Sequence, residues 1–152
     1  MKRLAAVLAL SVSALALAAQ ASAAPKPASM ATQLIRYEFK GQWGPAWDLL
    51  HPSQQRIVPR AKFAACQKAL AALAGYRLVD IRTVDSSNET LHIAGIPQHT
   101  AVAVTLHLLV RTGLGNENGL NEVTHTVWTG TRWAWFFGAA DVAAYRAGHC
   151  PS

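Results

Sequence analysis

The spacing of apolar residues changes at Gly75, halfway along this 152-residue chain. Upstream they recur every three or four positions, as Trp43, Trp47 and Leu50 do, which places them on one face of a helix. Downstream they alternate with polar residues, and Val, Thr, Ile and Trp become frequent, a pattern typical of strands. Helices followed by consecutive strands predict an α+β domain in which N-terminal helices pack on a curved antiparallel β-sheet.

The upstream half is divided by glycine and proline into three predicted helices. They cover residues 31–40, residues 45–50, and the stretch that opens at Pro59 and stops at Gly75. Each ends where a glycine, or a residue that precedes proline, interrupts the pattern. Steps of three and four residues in the third helix predict that Cys66 faces inward, in one row with Phe63, Leu70 and Leu73.

The downstream half reads as strands joined by short turns, so consecutive strands should pair antiparallel. The strands are predicted at residues 76–84, 90–96, 100–112, 122–128 and 133–137, with a turn at residues 85–88 and a last helical turn at residues 141–147. One strand has an entirely apolar face, which carries Val102, Val104, Leu106, Leu108 and Val110. In the strand predicted at residues 76–84, Val79 and Ile81 are predicted to share one face.

Residues 1–23 have the three-part plan of a secretory signal peptide. Two basic residues are followed by an apolar run over residues 4–19 and by Ala21-Ser22-Ala23, which predicts cleavage after Ala23. The alternative is a retained anchor, but the run is shorter than the eighteen or so apolar residues that a stable membrane span needs. Residues 24–30 then form a short Pro-rich linker, and residues 31–152 a single domain. The expected location is secreted or periplasmic.

Charge and motifs exclude several classes of function. Cleavage would leave 152 − 23 = 129 residues and, with Lys2 and Arg3 gone, lower the formal charge from +6 to +4. The remaining Lys and Arg are scattered, whereas specific nucleic-acid binding needs a clustered basic stripe, so no nucleic-acid partner is expected. The sequence has no Gly-rich phosphate loop between a strand and a helix, and no cofactor is predicted.

The two cysteines, Cys66 and Cys150, are 150 − 66 = 84 positions apart. In an oxidising compartment two cysteines favour one intramolecular disulfide. A metal or redox role is the alternative, but the sequence has no Cys-x-x-Cys, and His149 is the only histidine beside either cysteine. The six histidines also lack the short spacings that place two imidazoles on one ion, so no metal site is predicted.

His125 is the first candidate for a general base, since it shares its predicted strand face with Val123 and Val127. A polar side chain on an apolar face must find a hydrogen-bond partner or line a wet cavity, so a satisfied core histidine and a catalytic one both fit. Asp48 is the second candidate, although its helical phase favours an exposed cap or a salt bridge. Tyr37, Trp43, Trp47 and His125 are the residues predicted to line a pocket.

Four short motifs carry a resemblance to a known fold family. They are WDLLHP at residues 47–52, R-x-x-F-x-x-C at residues 60–66, G-x-R-W-x-W at residues 130–135 and Y-R-A-G-x-C at residues 145–150. With them, the chain resembles a group of small secreted bacterial proteins of the nuclear transport factor 2-like fold, the cone shared with ketosteroid isomerases and scytalone dehydratase. The resemblance implies this fold and a disulfide. The group is largely without assigned activity, while enzymes of the superfamily place an Asp or His base in a pocket between the helices and the sheet.

Three functional hypotheses follow from these features. The first is a non-catalytic domain that binds a small apolar ligand or an envelope protein through the pocket or the sheet. The second is a small isomerase or dehydratase-like enzyme with His125 or Asp48 as the base. The third is an interaction module that forms a homodimer through the outer sheet face around His107 and Arg111.

Overall fold

The computed structural model describes residues 26–92 and 99–151 of the chain. Its elements are α1 (Pro27–Phe39), α2 (Trp43–Asp48), α3 (Pro52–Gln55), α4 (Arg60–Ala74), β1 (Arg77–Leu91), β2 (His99–Arg111), β3 (Glu117–Trp128), β4 (Trp133–Trp135) and α5 (Ala139–Arg146). The predicted signal peptide lies outside the described residues, as does most of the strand predicted at residues 90–96. No helix in the described ranges is long and apolar enough to cross a membrane.

The four strands form one antiparallel sheet in the order β1-β2-β3-β4. The register places Leu106 of β2 between Thr83 of β1 and Glu122 of β3. Helix α1 packs on the face that carries Leu106, which is called the inner face here, and the opposite face is the outer face. The predicted α+β architecture, with N-terminal helices on a curved antiparallel sheet, is confirmed.

Alternate side chains of β2 form the core beneath α1. Ala31 and Ile35 of α1 are buried against them, and Ile81 of β1 joins the same cluster. The buried side chains of β2 in this cluster are Val104, Leu106, Leu108 and Val110. Each such aliphatic side chain stabilises the fold by about 1.5–3 kcal/mol when it leaves water. The predicted apolar face of residues 100–112 is therefore the face that fixes α1 on the sheet.

A second cluster, called the aromatic cluster here for its Phe, Trp and Tyr side chains, joins α1 and α4 to the end of the chain. Phe63 of α4 is fully buried, and its ring centroid lies 6.1 Å from that of Trp135 and 5.8 Å from that of Phe137. The predicted disulfide between Cys66 and Cys150 is present, with the two Cα atoms 5.4 Å apart. The face of α4 that carries Cys66 is therefore its buried face, as the sequence spacing predicted. The disulfide holds the C-terminal segment against this face.

The strand predicted at residues 133–137 is shorter than expected. Beyond its end, a glutamine side chain and not a neighbouring strand bonds the backbone N–H and carbonyl of Phe137. β4 ends at Trp135. The backbone N–H of Phe137 donates to Oε1 of the fully buried Gln54 at 2.6 Å, and Nε2 of Gln54 donates to the Phe137 carbonyl at 3.1 Å. A buried backbone without such a partner would carry an unsatisfied polar group.

The starts of α1 and β3 are among the element boundaries that differ from the prediction. Helix α1 begins at Pro27 rather than at residue 31, so residues 27–30, expected in the linker, form its first turn. Proline is tolerated there because the first N–H groups of a helix have no partner within it. Strand β3 begins at Glu117 rather than at residue 122, because it pairs with β2 as far as Arg111.

The turn predicted at residues 85–88 is wrong, since β1 continues through it. Each of these residues pairs with β2, and the turn-forming composition is accommodated at a sheet edge with a register shift between Thr83 and Asp85. A second shift, between Leu78 and Asp80, leaves Val79 without a partner in the register, and its side chain is 44% exposed instead of sharing the buried face with Ile81. A bulge of this kind adds one residue to one strand and changes which side chains face the core.

Candidate functional site

A cavity of about 480 Å³ lies at the end of the helical layer, where α1, α2 and α4 meet. Most of its surface is apolar, and its polar side chains are few. It is lined by Glu38, Phe39, Gly41, Trp43, Lys68, Ala71, Gly75 and Tyr76. Its size falls within the range of small-molecule sites in proteins, about 300–1,000 Å³.

Two helix ends border this cavity, and each is followed by a glycine with a left-handed backbone conformation. At the end of α1, the N–H of Gly41 donates to the carbonyl of Glu38 at 2.9 Å, and the N–H of Gln42 donates to that of Tyr37 at 2.8 Å. This pair of bonds is a Schellman motif, which requires the positive φ of 65° that Gly41 adopts. At the end of α4, Gly75 has φ 61°. The chain thus turns sharply at both ends and leaves space between them.

Glu38 is the carboxyl group of this cavity. It is partly buried and makes no hydrogen bond or ion pair with any residue that the structure describes. Burial, and secondarily the carboxylate of Glu122 on the inner face of β3, raise the pKa of Glu38 to about 7. Burial also raises the pKa of Glu122, while the electrostatic interaction with His125 acts to lower it. Near neutral pH, Glu38 can therefore donate or accept a hydrogen bond inside an apolar space.

The remaining lining includes three aromatic side chains and an exposed lysine. Phe39, Trp43 and Tyr76 contribute three rings to the cavity, and Lys68 lies exposed on α4. Phe39 also packs on the sheet core and Trp43 on the aromatic cluster, so packing outside the cavity fixes both rings. Tyr76 is 48% exposed and stands at the rim.

Of the residues predicted to line a pocket, Trp43 is in the cavity lining and the others are not among the residues that line it. The indole N–H of Trp47 donates to the carbonyl of Val58 at 2.9 Å, so this ring is used to fix the α3–α4 segment. The hydroxyl of Tyr37 receives a hydrogen bond from Gln33 Nε2 at 2.5 Å, one turn earlier on α1. Both side chains are partly buried against the aromatic cluster.

His125 lies on the outer face of the sheet rather than facing the helices. It pairs with Ala103, while its two neighbours in β3, the buried Thr124 and Thr126, face inward. Thr126 is satisfied there by a 2.9 Å hydrogen bond to the carbonyl of Val102. The predicted apolar face of β3 therefore points away from the helices, because its register against β2 turns threonine inward. On that face Val123 is 45% exposed, whereas Val127 is buried.

On the outer face, His125 has a partner that the sequence did not reveal. Its Nδ1 lies 2.6 Å from Oε1 of Glu89 on β1, two strands away. The two side chains meet across β2 because the residues between them, Ala101 and Ala103, are small. The ring of Phe136 lies 6.1 Å from the imidazole, centroid to centroid.

Asp48 is an exposed surface residue. Its Oδ2 is 2.9 Å from a guanidinium nitrogen of Arg60, and the side chains of both are more than half exposed. Across the outer sheet face, Nδ1 of His107 lies 3.0 Å from Oδ1 of Asn121, and Arg111 pairs with Glu117. Within the described ranges, no group of three or more His, Cys, Asp or Glu side chains is placed to hold a metal ion.

Glu38 was missed by the sequence reasoning, although the sequence holds a signal for it. A negative charge in the last turn of a helix opposes the helix dipole, which favours cations there. Such a break in a local rule is expected at functional or strained sites. Glu38, placed between Tyr37 and Phe39 and three residues before Gly41, is a break of this kind.

Comparisons with solved structures support the fold. The chain is similar to a protein described as an NTF2-like transpeptidase from Campylobacter jejuni, with a TM-score of 0.50 and 14% identity over 75% of this chain and 100% of that one. It is also similar to a SEC-C motif-containing protein from Rhodopseudomonas palustris, with a TM-score of 0.50 and 14% identity over 75% of this chain and 80% of that one.

No family model and no curated protein matches the sequence. At 14% identity, the structural likeness extends to the fold and carries no information about activity. The function therefore has to be argued from the cavity itself.

Proposed function

We propose that this protein is a non-catalytic, extracytoplasmic cone domain that binds a small, largely apolar ligand in the cavity between α1, α2 and α4. The observation that carries this proposal is the cavity of about 480 Å³ lined by three aromatic side chains and few polar groups. Binding sites for small molecules are concave and mostly apolar, with a small number of polar groups that orient the ligand.

The compartment is proposed from two features. The disulfide between Cys66 and Cys150 is a bond that persists in oxidising compartments. The N-terminal 23 residues have the pattern of a cleaved signal peptide, which would export the chain to such a compartment. Cleavage after Ala23 would leave α1, which begins at Pro27, intact.

The non-catalytic part of the proposal rests on where the two candidate bases lie. Asp48 is paired with Arg60 on the surface, and His125 is held by Glu89 on the outer face. A general base must come within hydrogen-bond reach of the proton that it removes, and a ligand in the cavity would not meet either group.

A titration with the neutral dye Nile red, whose emission rises in apolar surroundings, tests the proposal. We expect saturable binding of one dye per chain. Ala71→Trp, at an exposed position of the lining, should fill the cavity and weaken binding at least tenfold. Trp128→Ala, which removes another partly exposed indole, should leave binding unchanged. Equal binding by the two variants would contradict the cavity as the site.

A second candidate function is favoured by Glu38. A carboxyl group with a pKa near 7 in an apolar cavity is matched to general acid-base work at neutral pH. A small isomerase or dehydratase-like activity would then use Glu38 rather than His125 or Asp48. Turnover of enolisable ketones that Glu38→Gln abolishes and His125→Gln does not would favour this alternative over simple binding.

A homodimer or an envelope partner bound through the outer sheet face is a separate proposal. Val123, which pairs with Thr105 on the outer face, is 45% exposed near the row of His107 and Arg111. Light scattering tests the homodimer directly: a dimer that Val123→Lys dissociates would support this interface, and a monomer at high concentration would rule the homodimer out.

A further inference from the structure

We propose that the ligand of the cavity is an organic cation, an alkylated ammonium group on an apolar body, held between the carboxylate of Glu38 and the rings of Phe39, Trp43 and Tyr76. This inference rests on the proposed function and names the chemical class of its ligand. It follows from the combination of aromatic rings with a single partly buried carboxyl group in one cavity.

The aromatic rings favour a cation over a neutral ligand of the same shape. The face of an aromatic ring carries partial negative charge and attracts an ammonium group, most strongly where water is excluded. Alkylated ammonium groups are bound by aromatic cages for this reason. Phe39, Trp43 and Tyr76 supply three such rings around one space, and the first two are fixed by packing from behind.

Glu38 supplies the opposite charge. Among the described residues it has neither a hydrogen bond nor an ion pair, so its carboxyl group is free to meet a ligand. A partly buried carboxylate without a partner is unfavourable, and an ammonium group beside it would relieve this cost. The helix dipole of α1 adds to the negative potential at this position, since Glu38 lies in the last turn.

The other charged groups around the cavity act on a cationic ligand in opposite directions. Glu122 faces Glu38 from β3 and strengthens the negative potential. Among the described residues of the lining, Lys68 of α4 is the one cation, and it opposes the binding of a positive ligand. Its side chain is exposed and is therefore well screened by water and salt. Tyr76, at the rim, is the remaining titratable group of the lining.

The affinity for a cation should depend on pH, because only the ionised form of Glu38 attracts it. The pKa of this group, raised to about 7, means that the fraction ionised increases across the neutral range. Cation binding should therefore tighten as the pH rises from 6 to 8. A neutral ligand should bind as well at pH 6 as at pH 8, or better.

Three probes with one body and different charge test the inference: phenyltrimethylammonium, its neutral isostere tert-butylbenzene, and benzenesulfonate. Displacement of bound Nile red measures each affinity. We expect the cation to bind at least tenfold more tightly than the neutral isostere at pH 8, with a smaller advantage at pH 6. Glu38→Gln should remove the advantage, and Lys68→Gln should increase it about two- to threefold.

Some outcomes would overturn the inference and leave the proposed function standing. In the first, the neutral isostere displaces Nile red as strongly as the cation does. In the second, benzenesulfonate binds most tightly of the three probes and Lys68→Gln abolishes its binding. In the third, Glu38→Gln leaves the affinity for the cation unchanged. Failure of all three probes to displace a dye that binds would overturn it as well. Failure of Nile red itself to bind would instead contradict the proposed function.

Discussion

The two halves of α4 belong to the same helix but have opposite surroundings. In its first half, Phe63 is fully buried and Cys66 is 2% exposed, and the disulfide ties this part to the C-terminal segment. In its second half, Lys68 and Ala71 are exposed and line the cavity. One end of the helix is closed by packing and a covalent bond, and the other end is open.

The difference shows how a small domain can keep an unfilled, partly apolar space. The cluster around Phe63 and the covalent link supply stability at one end of α4, which allows Glu38 to stay without a partner at the other. Regions that bind ligands commonly lie at the less stable end of a structure for this reason.

The largest effect is expected at the closed end. Replacing both cysteines, as Cys66→Ala with Cys150→Ala, removes a link across 84 residues and should lower the free energy of unfolding by roughly 4–5 kcal/mol in the chain-entropy model. Urea unfolding measures this loss. The folded fraction should still bind Nile red with unchanged affinity, because the cavity lies at the opposite end of α4. A loss below about 1 kcal/mol would contradict the role assigned to the bond.

The next effect is expected at the open end and depends on pH. The pKa of Glu38 rises on folding from 4.5 to about 7, so the folded state binds the proton more tightly, and wild-type stability should fall as the pH rises between these values. Glu38→Gln lacks this loss and should exceed the wild type by on the order of 2–3 kcal/mol at pH 8, with little difference at pH 4.5.

The control for this prediction is Asp85→Asn, which changes an exposed carboxylate of β1 outside the cavity lining and should not reproduce the gain in stability at pH 8. Urea unfolding at several pH values measures both variants. Parallel stability profiles of Glu38→Gln and the wild type would show that Glu38 is not perturbed by its surroundings.

A smaller effect is expected where α4 ends. Gly75 has φ 61°, and a side chain there is strained although nothing lies within 4 Å of its added Cβ atom. Gly75→Ala should therefore lower stability by about 1–2 kcal/mol through backbone strain alone. Gly113→Ala is the matched control, because its Cβ atom also meets nothing, and its φ lies outside the left-handed region. Equal effects of the two substitutions would refute the assigned cause.

The smallest effect distinguishes two lysines of α4. Nζ of Lys62 donates to the carbonyl of Gly148 at 2.6 Å beside the disulfide, whereas Lys68 lines the cavity. Lys62→Ala should lower stability by about 0.5 kcal/mol, because the bond is exposed to water. Lys68→Ala should have no measurable effect. A larger loss for Lys68→Ala would mean that the open end contributes more to stability than its exposure suggests.

Much of the fold could be predicted because it depends on local spacing. The steps of three and four residues that join Phe63 to Cys66 determine which face of α4 is buried, and two cysteines permit only one intramolecular bond. The uninterrupted alternation along β2 likewise determined its inner face. In each case the physical cause lies within a few neighbouring residues.

The errors occurred where the cause lies in a distant strand. The orientation of His125 depends on the register of β3 against β2, and nothing in the sequence VTHTV indicates that threonine rather than valine faces the helices. The turn predicted at residues 85–88 was overridden by pairing with β2 over the whole length of β1. The cavity could not be predicted, since it depends on how two helix ends meet, although the acidic residue in the last turn of α1 marked its position.

The most direct measurement is a pH titration of the Glu38 side-chain carboxyl carbon by NMR. The central claim is that this group lies in an apolar cavity without a partner, and it predicts a midpoint near 7 that moves lower when an organic cation is added. A midpoint at the ordinary value of 4.5, unmoved by the cation, would contradict both the geometry of the cavity and the role proposed for it.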